Sequence, residues 1–282
     1  MGFLDFFRPV PSLDADGVRR YLLEHDPEQF HLLDVRQPKE YQQGHLPGAL
    51  LMPLDQIQER LGELDPARTT ITYCAAGPRS RAAAAILRNA GFAKVSNMAG
   101  GIRAWEGGTA TGDPATQMAW FSPQRSPLEH LALAWLLEEG SRAFYAAAAE
   151  QFEDLGEANF MRQMAATEEH HKASLASVYR ELTGEFPQPA FPRSFLGSED
   201  ESILVEGGLP LDELLDWMRD KSARVIIEFA MGMEANAFDH YLLLRRHLKE
   251  NKSREIFALL AEEEQAHLRT LSQHLERFLE GN

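Results

Sequence analysis

The stretch YCAAGPRSRAAAAILRNAGF, Tyr73 to Phe92, decides the reading of the first third of the chain. It starts at the end of an apolar run, passes through a short loop and continues as a helical pattern closed by Gly91, a residue suited to a helix C-terminus. It also holds the only cysteine of the sequence, Cys74. A loop that turns from a strand end into a helix N-terminus points successive backbone N–H groups inward and stabilises an anion. A thiolate is an anion, so Cys74 is expected to be acidic and nucleophilic. Arg79 adds positive charge to the same cradle and Gly77 permits the tight backbone, whereas Pro78 removes one N–H donor. The alternative is a buried structural cysteine, and the composition of the loop outweighs it.

Outward from this stretch, short apolar runs alternate with helical patterns. FHLLDV (Phe30 to Val35) and TITYC (Thr70 to Cys74) read as buried strands, and KVSNMAG (Lys94 to Gly100) as a strand running into a Gly-Gly turn. DADGVRRYLLE and SRAAAAILRNAG read as helices. Strands separated by helices predict an α/β domain with a mainly parallel sheet and flanking helices.

From Gly107 to Pro127 the chain loses its period and becomes rich in Gly, Thr and Pro, which reads as a linker. Beyond it the pattern is helical, with long helices expected at about 128–154, 157–183, 212–250 and 252–279. Gly156 separates the first two and Glu250 to Ser253 the last two. A proline-containing connection, TGEFPQPAFPRSFLGSEDESILVEGGLP, joins the pairs. Short, long, short is the connection order of a ferritin-like four-helix bundle. The expected domains are 1–110 (α/β), 111–127 (linker) and 128–282 (all-α bundle).

Three stretches of the first domain resemble the rhodanese sulfurtransferases. LLDVRQPKEYQQGHLPGALLMP (Leu32 to Pro53) is similar to the elements that precede the active loop of that family. YCAAGPRS is similar to the loop itself, and NMAGGIRAW (Asn97 to Trp105) to its closing Gly-Gly-x-x-x-Trp element. The resemblance implies that Cys74 takes up a sulfane sulfur as a persulfide and passes it on, within an active-site loop of Ala75, Ala76, Gly77, Pro78 and Arg79. Asp34, Arg36 and His45 are expected to be scaffold. Many loops of the family carry a basic residue beside the cysteine, where this chain has Ala75 and Ala76. That departure weakens the hold on thiosulfate and brings a persulfide into view as the sulfur donor. Independently of the family, a persulfide in a chain with one cysteine has no internal thiol to resolve it, so an external acceptor such as a thiol is required.

The helical half carries a second pattern. On a helix, Glu-x-x-His places both side chains on one face. Glu168 with His171 and Glu264 with His267 fit it, and so does Glu28 with His31, which falls at a strand start and reads as a decoy. The strength lies in repetition: Glu138, Tyr145, Glu168 and His171 recur at one constant offset as Glu234, Tyr241, Glu264 and His267. Each copy of a duplicated helical hairpin thus offers a lone Glu and a Glu-x-x-His. Together they supply four carboxylates and two imidazoles, the donor set of a di-iron or di-manganese bundle. The carboxylates cancel the charge of two divalent cations, and without metal they repel and take up protons. Six surface residues on acidic helices are the alternative, against which the four shared spacings speak. Tyr145 and Tyr241 are either core aromatics or hydrogen-bond partners of the ligands. Glu169, His170, Glu262 and Glu263 read as surface neighbours, and Glu228 as a non-ligand.

This half, about 128–282, resembles the rubrerythrin branch of the ferritin superfamily, through EEGSRAFYAAAAEQ and MEANAFDHYLLLRR on one side and ATEEHHKASL and AEEEQAHLRTL on the other. The resemblance implies two iron ions, with manganese or zinc as alternatives, that react with hydrogen peroxide or oxygen. A rubredoxin domain with four cysteines is missing, which leaves the electron donor unknown, and Ala237 stands where some relatives carry an additional Glu.

Composition bounds the rest. A formal net charge of -15 disfavours nucleic acid and anionic membrane as partners. One cysteine gives no intramolecular disulfide, in keeping with a reducing compartment. The N-terminal MGFLDFFRPVPSLDADG has no signal-peptide pattern, and no apolar run approaches a membrane span, so a cytoplasmic location is expected. The expected function is sulfur transfer through Cys74 joined to oxidative chemistry at a metal site, in a homodimer. The alternatives are a persulfide-carrying sensor or adaptor and an iron-handling ferroxidase.

Overall fold

The computed structural model describes residues 10–105, 107–112, 121–122, 124–196, 203–206 and 208–280. The chain divides into two compact units, Met1–Gly112 and Asp113–Asn282.

In the first unit five strands form one sheet: β1 (Ser12–Leu13), β2 (Phe30–Asp34), β3 (Leu50–Leu51), β4 (Thr69–Tyr73) and β5 (Val95–Met98). Their order is β1-β5-β4-β2-β3 and every pairing is parallel. The helices are α1 (Ala15–Glu24), α2 (Pro38–Gln43), α3 (Ile57–Arg60) and α4 (Pro78–Asn89). All of β2 is buried, as expected of a strand covered on both faces. Phe30 and Leu32 pack with Val18 of α1 and Tyr41 of α2, while Leu33 packs with Ile57 of α3 and Ala83, Ala84 and Leu87 of α4. The two-residue periodicity of the strand therefore assigns helices to both faces. The parallel α/β expectation agrees with this unit. Strands β1 and β3, two residues each, are too short to show a period in sequence.

Two local details differ from the sequence expectation. Strand β4 ends at Tyr73, because the Cys74 carbonyl turns away to accept Ile102 N–H at 2.8 Å. Pro78 is the first residue of α4, a position whose N–H has no intrahelical partner in any case. At the other end of α4, Gly91 has φ 98° and Phe92 N–H reaches the Leu87 carbonyl, a Schellman stop.

The second unit is helical: α5 (Pro127–Gln151), α6 (Leu155–Thr183), α7 (Arg193–Leu196), α8 (Leu211–Met218), α9 (Ala223–His247) and α10 (Asn251–Glu280). The long helices pack as α5 on α6 and α9 on α10, and α10 also meets α5 and α6. Ser126 starts α5 through a capping box with Glu129.

The helix breaks fall elsewhere than expected. Asp154, not Gly156, starts α6, because its carboxylate accepts the Gly156 and Glu157 N–H groups. The expected helix 212–250 is two helices. Lys221 N–H bonds the Met218 carbonyl, and Ser222 caps a fresh start by accepting Val225 N–H. The last break precedes Asn251, where the Glu250 carboxylate accepts Ser253 N–H.

The expected linker also changes. Ala110 forms an antiparallel bridge with His45, and Gly112 N–H bonds Gln42, so these residues belong to the first unit. Phe121 is buried against His130, Tyr241 and Phe257 in the second. The linker residues 113–120 and 123, and the N-terminal residues 1–9, lie outside the described residues. Among the described residues no helix is long and apolar enough to cross a membrane.

Candidate functional site

Cys74 follows the last residue of β4 and is 1% exposed. Its Sγ accepts the Gly77 N–H at 3.1 Å and lies 3.5 Å from Ser80 Oγ. Burial works against the thiolate. The Ser80 hydroxyl and the N–H groups of Ser80, Ala76 and Gly77 overcome it, so the thiol is held below its ordinary value. Gly77, with φ 112°, turns the chain into α4, so these amides face the sulfur.

The loop is held from behind by the Gly-Gly turn. Ile102 N–H bonds the Cys74 carbonyl and Arg103 N–H bonds the Ala75 carbonyl at 3.2 Å. A Cβ at Gly101 would lie 2.3 Å from the Cys74 oxygen and 2.6 Å from Ala76 N. Only glycine lets the two backbones approach so closely. With the loop carbonyls drawn outward, its N–H groups are left pointing at the sulfur.

Arg79 does not serve the sulfur alone. Both of its terminal nitrogens donate to Glu40 of α2. Asp34 and Arg36 form a buried ion pair at 2.6 Å, Arg36 also donates to the Gly44 carbonyl, and His45 Nδ1 lies 2.9 Å from the Tyr41 carbonyl. All three belong to the framework under the loop.

In the helical unit Glu138 on α5, Glu168 and His171 on α6, Glu234 on α9, and Glu264 and His267 on α10 are all buried. His171 Nδ1 lies 3.1 Å from Glu138 and 3.3 Å from Glu168. His267 Nδ1 lies 3.5 Å from Glu234, 3.6 Å from Glu168 and 3.7 Å from Glu264. The two imidazole centroids are 4.5 Å apart. The structure thus brings all six repeat-derived residues into one cluster, with Tyr145 and Tyr241 fully buried beside it. Tyr145 donates to Glu234.

This cluster is electrostatically unbalanced. Burial first, then repulsion from Glu138 and Glu234, pushes Glu168 well above the usual carboxylate range. Burial and the Glu206 and Glu234 charges do the same to Glu264. Glu234 is the exception. Burial opposes its ionisation, but His267 and hydrogen bonds hold it down at about 2. One oxygen of Glu138, both of Glu168, one of Glu234, both of Glu264 and both nitrogens of His267 are buried without a hydrogen bond.

Comparison with known proteins addresses the first unit. Residues 19–107 match the model of the rhodanese-like domain. A sulfurtransferase of Allochromatium vinosum is 38% identical over 96 residues, 34% of this chain and 88% of that protein. The chain belongs to the rhodanese-like family. The putative sulfur carrier protein YrkF of Bacillus subtilis is 38% identical over 100 residues, 36% of this chain and 53% of its own length, so only about half of that relative is spanned. Thiosulfate sulfurtransferase PspE of Escherichia coli is 41% identical over 75 residues, 26% of this chain and 71% of that protein. Two of these relatives of the rhodanese-like domain are thus sulfurtransferases and one is a putative sulfur carrier protein, and the three likenesses cover about a third of the chain.

Sequence reasoning missed four residues. In the rhodanese-like domain Ser80 is buried with its Oγ 2.9 Å from the Gly77 carbonyl and 2.5 Å from Asn97 Oδ1. One hydroxyl proton serves the sulfur or one of these acceptors at a time. The quoted motif contained Ser80, but its orientation depends on Asn97, which β5 supplies. In the helical unit Glu263 is half-buried against His171 and Ser174 rather than a surface residue, and burial raises its carboxyl. Glu206, in the connection before α8, is fully buried beside Glu168 and Glu234. It lies outside any helical period, so no spacing rule reaches it. Three other expectations agree with their positions. Glu169 pairs with Arg142 and Lys172 at the surface, Glu228 pairs with Arg224, and His31 is a buried acceptor for the Asp65 N–H.

Proposed function

We propose that the protein is a sulfurtransferase that carries a persulfide on Cys74, joined to a ferritin-like two-metal carboxylate domain. The observation behind the first part is the Gly77 N–H at 3.1 Å from Sγ in a loop that lowers the thiol pKa. The Cys74 thiolate attacks the sulfane sulfur of a donor. A bond forms from Sγ to that sulfur, the donor's S–S bond breaks, and its electron pair leaves as sulfite from thiosulfate or as thiolate from a persulfide. The inward amides and Ser80 then hold the charge of the terminal sulfur. An acceptor thiolate attacks that sulfur, and Cys74 thiolate is the leaving group. Because Cys74 is the only cysteine, the acceptor is another molecule.

The second part rests on the orphaned donor atoms. Unsatisfied buried carboxylates and imidazole nitrogens are costly unless a cation engages them. In each of the sets Glu138, His171, Glu264 and Glu234, Glu264, His267, ligand atoms lie within 4.8 Å of one another. Four carboxylates and two imidazoles fit two divalent metals, iron first, with manganese or zinc as alternatives. An iron pair supplies two-electron chemistry toward peroxide or oxygen when bound. In this chain Tyr145 donates to Glu234 and burial of the six side chains keeps water from the centre.

Cys74→Ser is expected to abolish sulfur transfer from thiosulfate or a persulfide to cyanide or a thiol, and full retention would refute the first part. Metal analysis after anaerobic loading with ferrous iron is expected to give about two ions per chain, reduced in Glu264→Ala. Absence of metal in the loaded wild type would reduce the helical unit to a scaffold.

A further inference from the structure

The internal repeat predicts a two-fold arrangement, and one contact breaks it. Tyr145 on α5 donates to Glu234, the lone Glu of the other hairpin. Its repeat counterpart Tyr241 on α9 is therefore expected to reach Glu138. Instead Tyr241 Oη donates to Glu206 Oε1 at 2.9 Å. Glu138 is left with His171 Nδ1 and an unpartnered Oε1. A fifth buried carboxylate, from outside the duplicated hairpins, has taken the symmetric place.

The fold puts Glu206 there by construction. The segment before α8 doubles back, with Val205 N–H on the Leu209 carbonyl and Leu211 N–H on the Ile203 carbonyl. Val205 is fully buried in the core. The segment lies directly on α5 at Gly140, where a Cβ would meet the Leu204 oxygen at 2.0 Å. One residue on, Ser141 Oγ accepts the Glu206 N–H at 3.2 Å and lies 3.3 Å from Glu206 Oε2. Glycine gives the approach and serine the anchor. The carboxylate then lies within 4.8 Å of ligand atoms of Glu168 and Glu234, both carrying oxygens without any hydrogen bond. A serine and a tyrosine cannot balance a fifth carboxylate among four others, but a cation can.

We propose that Glu206 is a seventh protein donor to the two-metal centre, sharing one ion with Glu168 and Glu234 and making the two metal positions unequal. The inference rests on the metal-centre reading above. The ion held by Glu234, Glu264 and His267 gains Glu206 as a further oxygen donor, whereas the ion held by Glu138, His171 and Glu264 does not. An additional carboxylate favours harder ions, so the two positions differ in metal preference as well as affinity.

The test is an anaerobic titration of the full chain with Co(II), whose visible absorption reports the donors around each ion. Wild type is expected to bind two ions in two distinguishable steps. Glu206→Gln keeps the shape of the side chain and removes its charge. It is expected to retain one tight ion and to bind the other roughly 10- to 100-fold more weakly, with altered absorption for that ion alone. Glu206→Ala is expected to give the same loss, which excludes a new contact made by the amide. Thermal unfolding of the metal-free variants, expected at or above the wild-type temperature, shows that the loss is not misfolding. Two ions bound by both variants with wild-type affinity and absorption would overturn the assignment and leave the metal centre standing. A wild type that takes up neither cobalt nor iron would overturn both.

Discussion

Arg79 donates from its two terminal nitrogens to the two carboxylate oxygens of Glu40, each at 2.7 Å. The arginine that follows the cysteine loop therefore spends much of its charge on α2. Glu40 in turn is held at about 2, chiefly by the Arg79 hydrogen bonds. The anion at Cys74 is stabilised mainly by amide N–H groups and a hydroxyl, with Arg79 as a partly neutralised background charge.

Glu40→Gln should release that charge. The KM for thiosulfate is expected to fall roughly three- to tenfold, about 1 kcal/mol for a charge pair in partly solvated surroundings. A less charged persulfide donor should respond less. Steady-state assays with both donors check this, and an unchanged thiosulfate KM would show that Arg79 acts only as a brace for α2.

The acidity of Cys74 is open to direct titration. Alkylation by iodoacetamide follows the thiolate, so its midpoint is expected below that of an ordinary cysteine, about 8.5. Ser80→Ala removes a hydrogen bond that favours the charged form, so the midpoint should rise. Loss of one bond to a charged group, ~1.5 kcal/mol, corresponds to about one pH unit. A downward or absent shift would assign the Ser80 proton to Asn97 or Gly77 instead.

Gly101→Ala places a methyl group 2.3 Å from the Cys74 carbonyl at a residue with φ 61°. Overpacking and backbone strain together cost about 2–4 kcal/mol. Because the displaced backbone is the loop itself, sulfur transfer should fall by at least about tenfold in protein whose circular dichroism remains native. Activity close to wild type would mean that the loop positions Cys74 without the Gly-Gly turn.

The helical unit should lose stability with rising pH only when it is free of metal. Glu168, Glu206 and Glu264 have raised pKa values in the metal-free fold, each chiefly through burial. The folded state therefore binds more protons than the unfolded chain above the ordinary value of 4.5. Metal-free stability should decline as pH rises from that value toward the raised ones. Glu263, also raised by burial, adds to this decline, whereas Glu234, held low, acts only below the ordinary value, where its contribution is lost as pH falls. A bound cation keeps the carboxylates ionised and should remove the decline. Thermal unfolding of chelator-treated and metal-loaded protein across this range measures the difference.

Gly140→Ala tests the approach of the crossover segment. The added methyl meets the Leu204 carbonyl and should destabilise the fold by about 1–3 kcal/mol. It should also weaken the same ion that Glu206→Gln weakens. Loss of stability with unaltered two-step metal binding would separate packing at Gly140 from the placement of Glu206.

The features readable from the residues alone are local or periodic. The strand–loop–helix around Cys74 is written in consecutive residues, so the loop, its helix and the parallel sheet were legible. Helical spacing places Glu168 with His171 and Glu264 with His267 on common faces, and one constant offset joins them to Glu138 and Glu234. Burial of an amphipathic face then brings the six together without further information. Tertiary structure alone decided the contacts that have no period. Arg79 meets Glu40, and Ser80 meets Asn97, because separate elements converge on the loop. Glu206 enters the carboxylate cluster because Gly140 lets an irregular segment lie against α5, and Tyr241 turns to it instead of Glu138. Close approach of two backbones depends on the path of both, and one chain's spacing records only its own.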